Sequence, residues 1–141
     1  MTYAPKSLTA SKTLTPSDSG TALVVNAAAG LTLTLPPAVG SGYSYRIVIG
    51  TTVTSNDVIV QVDSADDIMT GLALSAADGG NTVNGWETAA DSDTITLDGS
   101  TTGGIKGDMV ELIDCASGTW AVQIRSSSTG TEATPFSAAV S

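Results

Sequence analysis

The sequence predicts an all-β protein: a single small antiparallel β-sandwich or barrel, with a jelly roll as one available form and an extended arm at each end. Three observations carry that expectation. Eight or so short strand-like runs follow one another, separated by Gly, Pro, Asn and Asp turn signals. Several runs alternate apolar and polar residues with period two. No long segment has the 3.6-residue apolar spacing of a helix, and no solenoid-length repeat occurs. A chain of 141 residues suits one domain with a core of its own. Aromatic residues make up only 4%, so that core must rest on Val, Ile and Leu.

Residues 1–20 are rich in Ser and Thr, carry Pro5 and Pro16, and read as an extended N-terminal arm. The β domain is expected over residues 21–127. "ALVVNAA" opens it as a short strand. "LTLTLPP" places Leu31, Leu33 and Leu35 on one face and Thr32 and Thr34 on the other, and Pro36 and Pro37 end it. After the turn "VGSG", the run "YSYRIVIG" aligns Tyr43, Tyr45, Ile47 and Ile49. "TTVTSND" is a turn, and "DVIVQVDS" aligns Val58, Val60 and Val62. Ser64 and Asp67 resemble a capping box, which predicts one helical turn before Ile68. "IMTGLALSA" is a strand interrupted at Gly71, "NTVNGWETA" carries Trp86, and "DTITLDG" pairs Ile95 with Leu97. "DMVELID" and "TWAVQIRS" close the domain as a hairpin through "CASG", with Trp120 alternating with Val122 and Ile124 as core. Residues 128–141 form an extended C-terminal tail with Phe136 as its one large anchor.

"DGSTTGGIKGD", residues 98–108, invites a phosphate-loop reading that its spacing refuses. Gly99 and Gly104 are correctly separated, but Ile105 stands where the lysine belongs, and Lys106 comes one residue late. The residues after Asp108 have a β pattern and do not open a helix. A strand–loop–strand connection is expected, with Gly103, Gly104 and Gly107 available for positive φ.

Other chemistry is limited by inventory. There is no His, which removes the commonest general base and metal ligand and excludes Ser–His and Cys–His catalysis within the chain. An enzyme is not expected, nor a cofactor. Asp63, Asp66 and Asp67, with Asp91 and Asp93, have spacing that a calcium loop can use, but no EF-hand pattern surrounds them, and Asp is an ordinary turn residue. Cys115, the one cysteine, lies in an apolar run and is expected buried. The balance of 14 acidic against 5 basic residues argues against nucleic acid and anionic membranes as partners. No apolar stretch is long enough to span a bilayer, and residues 1–20 lack the apolar region of a secretory signal. The terminal segments carry the candidate partner-binding residues Tyr3, Leu8, Leu14, Phe136 and Val140.

The runs "LTLTLPPAVGSGYSYRIVIGTTVTSNDVIVQV" and "ETAADSDTITLDGSTTGGIKGDMVELIDCASGTWAV", with the ending "GTEATPFSAAVS", resemble small structural proteins of tailed bacteriophages, most of all capsid decoration (cement) proteins. The resemblance covers residues 20–141 and brings no residue-level motif. It implies a β-rich homo-oligomer, a trimer by preference, on the outer face of the virion capsid. There its extended termini would clamp subunits of the major capsid protein. Similar Thr/Gly-rich sequences occur in tail fibre or baseplate modules that bind host glycan. A small carbohydrate-binding or lyase domain is a third reading, from another class.

Overall fold

Leu31, Leu33 and Leu35 point inward, and Thr32 and Thr34 outward, in a computed structural model that describes residues 4–140. The same alternation buries Tyr45, Ile47 and Ile49, then Val58, Val60 and Val62, then Val110 and Leu112, then Trp120, Val122 and Ile124. These side chains form one core between two sheets, a β-sandwich.

The strands are β1 (Lys6–Leu8), β2 (Lys12–Thr13), β3 (Ala22–Val25), β4 (Leu31–Thr34), β5 (Ser44–Ile49), β6 (Val58–Gln61), β7 (Ile68–Ala76), β8 (Val83–Glu87), β9 (Thr94–Leu97), β10 (Met109–Ala116), β11 (Thr119–Ser127) and β12 (Phe136–Ser137). A 3-10 turn at Pro16–Asp18 is the one helical element among the described residues. The seven-stranded sheet runs β1-β3-β5-β10-β11-β7-β8, and the five-stranded sheet runs β12-β9-β6-β4-β2.

The sheets are mixed, not antiparallel as expected. From β1 to β7 each strand lies in the sheet opposite its predecessor. Neighbours therefore run parallel: β1 with β3, β3 with β5, β2 with β4, β4 with β6. The connections at 26–30, 35–43 and 50–57 are arches across the core and not hairpins within a sheet. Hairpin pairing enters later, in β7–β8 and β10–β11.

The ends differ from expectation as well. Residues 6–18 are not a free arm: β1 and β2 are edge strands of the two sheets, and Leu8 and Leu14 are buried in the core. In the tail, β12 pairs with β9, Phe136 is buried, and Val140 packs half-buried on the core. Two further expectations fail locally. Residues 63–67 form a turn closed by the Asp67 amide donating to the Ser64 carbonyl (3.1 Å), without a helix. β7 runs unbroken through Gly71, where a Cβ would collide with the Val122 carbonyl of the adjacent strand. The glycine permits close approach and does not interrupt pairing.

Candidate interaction surfaces

Half of the 14 acidic side chains accept hydrogen bonds from the protein's own backbone amides. In the glycine-rich loop, Asp98 accepts from the amides of Ser100 (2.8 Å) and Thr102 (3.1 Å) and from the Thr101 hydroxyl (2.6 Å). Asp108 accepts from the Gly104 and Ile105 amides through Oδ2 (2.9 and 3.0 Å), and from the Ser127 amide and hydroxyl through Oδ1 (3.0 and 3.1 Å). The amides that would cradle a phosphate are therefore occupied by the chain's own carboxylates. Burial pushes the Asp108 carboxyl up, against the pull of those donors. For Asp98 burial also pushes upward, but the Thr101 hydroxyl and the neighbouring amides prevail and hold it below the ordinary value.

The same device recurs at one end of the sandwich. Asp114, buried on β10, accepts from the Val39, Gly40 and Ser41 amides (3.1, 2.7 and 3.1 Å) and the Ser41 hydroxyl (2.6 Å). Burial would raise its carboxyl, but these donors hold it below its usual value. Asp67 accepts from the Ala38 amide at 2.9 Å. Between them these carboxylates fix the arch 36–41. Beneath it lies Trp120, fully buried and tilted against Tyr45 with ring centroids 5.8 Å apart. The Trp120 indole N–H has no acceptor among the described residues, so packing alone holds the ring.

Two apolar surfaces result. The first is this fixed end, where Pro16, Pro36, Pro37, Val39 and Tyr43 line a pocket of about 230 Å³ above Trp120. Val39 is 68% exposed and Tyr43 44%, on backbone that the Asp114 bonds hold in place. The second is the open face of the seven-stranded sheet, where Leu72, Leu74, Val83 and Ile113 stand 40–65% exposed. The opposite open face, on the five-stranded sheet, carries Thr32, Thr34 and Thr96 around Ile59 and Gln61. The outer face of a sandwich is commonly polar; the seven-stranded face mixes these exposed apolar side chains with charged ones such as Glu111 and Arg125.

The sequence-predicted anchors fall elsewhere. Leu8, Leu14 and Phe136 are interior, Val140 is half-buried with its amide donating to Asp93 (3.1 Å), and Tyr3 lies outside the described residues. A contact through Leu8, Leu14 or Phe136 would first have to take that side chain out of the core. The acidic clusters are also divided: Asp67 and Asp93 are buried and bonded within the chain, whereas Asp63, Asp66 and Asp91 are exposed. Among the described residues no group of three or more His, Cys, Asp and Glu side chains could hold a metal ion. Trp86 is half-buried against the core. Cys115 is exposed, not buried, because alternation along β10 sets it on the outward side with Glu111 and Ile113, and among the described residues the thiol reaches only the Thr119 carbonyl at 3.5 Å.

No protein-family model, no curated protein and no solved structure matches this chain.

Proposed function

We propose that the chain is a structural protein of a tailed-phage virion, a decoration protein that binds the outer surface of the head and holds neighbouring major capsid subunits together. The observation that carries this reading is the rigid apolar end of the sandwich. Val39 and Tyr43 are presented beside a proline-walled pocket, on an arch fixed by Asp67 and Asp114. A surface fixed before contact loses little entropy on docking, which suits a protein whose task is added interface area and not turnover. The resemblance of residues 20–141 to decoration proteins supports the same reading.

Attachment in this proposal belongs to the body and not to free arms, since Leu8, Leu14 and Phe136 are used inside the fold. The test is binding to purified shells that lack the protein. Wild type should bind. The double variant Val39→Ser, Tyr43→Ala should bind about tenfold more weakly or worse, as for loss of a central aromatic contact. A wild-type chain that ignores shells and is found on tails would transfer the protein to the fibre or baseplate class.

A further inference from the structure

We propose that the open face of the seven-stranded sheet is covered by the same face of a second copy, in a two-fold pair that forms without any shell. Three observations point to a copy of this chain as the occupant.

The first is apolar content. Strand register aligns Leu72 and Leu74 of β7 with Gln123 and Arg125 of β11, and Ile113 of β10 with Ala121. Val83 of β8 extends the patch beside Ala76. The threonine-bearing face across the sandwich shows that this fold does not require an apolar exterior.

The second is charge. Of the 5 basic residues, Lys6 and Lys12 are bound to Asp18 (3.1 and 2.8 Å). Arg46 and Arg125 both stand on this face, on strands either side of β10, and Glu111 between them takes Arg125 at 2.8 Å. Glu87 is the other acid on the face, opposite Leu72. Lys106 borders the face beside Leu74, Val83 and Arg125, so the face carries three cations and two anions on a molecule of net charge −9. The rest of the molecule holds the excess of negative charge, so two copies meeting through this face keep that excess apart. A surface carrying both signs is also complementary to itself under a two-fold axis, where each Arg can exchange its own Glu for the partner's.

The third is area. At ~4.8 Å between strands and ~3.3 Å per residue, β5, β10, β11, β7 and β8 present roughly 590 Å² of flat surface, and side-chain relief adds to it. A stable pair takes about 800 Å² of accessible surface from each partner. Sheets stacked through such faces pack as the two halves of a sandwich do.

Sedimentation equilibrium of the free protein tests the pairing separately from shell binding, so either idea can fail alone. Wild type should show twice the 14.0 kDa chain mass. Leu74→Glu, on this face between Arg125 of β11 and Gly85 of β8, should give the single-chain mass with its near-ultraviolet circular dichroism unchanged. Thr96→Glu, on the opposite open face, should remain paired. A wild type that stays single at all soluble concentrations overturns the proposal. So does a three-fold mass, or a Leu74→Glu variant that still pairs. If single-chain wild type binds shells and Leu74→Glu does not, the face belongs to the shell.

Discussion

Asp108 joins two segments with one side chain, and each of its oxygens is already claimed. Asn at this position keeps one acceptor but turns an amide N–H₂ toward donors, either Gly104 and Ile105 or Ser127. Asp108→Asn should therefore lower stability by about 2 kcal/mol, seen as a lower urea midpoint with an unchanged slope. Gly99 is less tolerant still. Its φ is +86°, and a Cβ would run into the Val53 carbonyl, so Gly99→Ala should cost about 2 kcal/mol or more in the same assay. Cys115, exposed on its bulge, should react with a thiol reagent in the native protein at close to the rate of a free thiol. At this scale the sequence was legible where a residue type has one common use. Glycines in "DGSTTGGIKGD" do take positive φ, and Trp120 is core. The destinations of the aspartates were not legible. A turn Asp in sequence looks the same whether it faces water or an amide 74 residues away, as Asp114 does with Gly40. Cys115 misled because its apolar neighbours in sequence suggested burial, whereas the alternation of β10 assigns it to the outward side with Glu111 and Ile113.

The edge strands β1 and β2 depend on one carboxylate. Burial alone would raise the Asp18 carboxyl, but the Lys12 ammonium, the Thr15 amide and the Lys6 ammonium together bring it down to about 2. The folded group thus releases its proton more readily than the unfolded one, whose value is 3.8. The stability it supplies is fully present above pH ~4 and is lost as pH falls through ~2, with a magnitude of about 1–2 kcal/mol because both lysines are partly exposed. Asp108 has the opposite sign, its folded carboxyl being raised, so its contribution improves on acidification and partly masks the loss. Asp18→Asn should remove about 1–2 kcal/mol at neutral pH and flatten the acid limb of a stability–pH curve. Deleting residues 1–15 should destabilise the whole sandwich and not merely trim an arm, because Leu8 and Leu14 leave the core. Strand existence was legible wherever three or more apolar residues alternate, as in 31–35, 45–49 and 58–62. β1, β2 and β12 were not, because two- and three-residue strands present no period to read. Nor does alternation name a partner, which is why the parallel arches of β1 to β6 went unforeseen.

For the whole molecule, composition foretold a body of small and aliphatic residues but not how its exposed apolar groups would be distributed. That distribution arises only when register brings Leu72, Ile113 and Val83 onto one face and the arch 36–41 lifts Val39 beside Tyr43. The expected anchors Leu8, Leu14 and Phe136 were identified as apolar groups that need cover, and the fold itself supplies the cover. The two surfaces divide the proposed work, one meeting a second copy and the other meeting the shell. The shell contact is the central claim, and its most direct measurement is co-sedimentation of this protein with purified shells lacking it. Wild type and the Val39→Ser, Tyr43→Ala variant would be compared at equal concentration, with circular dichroism confirming that both are folded. Saturable binding of wild type, weakened about tenfold or more in the folded variant, is the expected result. Equal binding by both would remove the attachment site from this end of the sandwich, and no binding by wild type would contradict the decoration role.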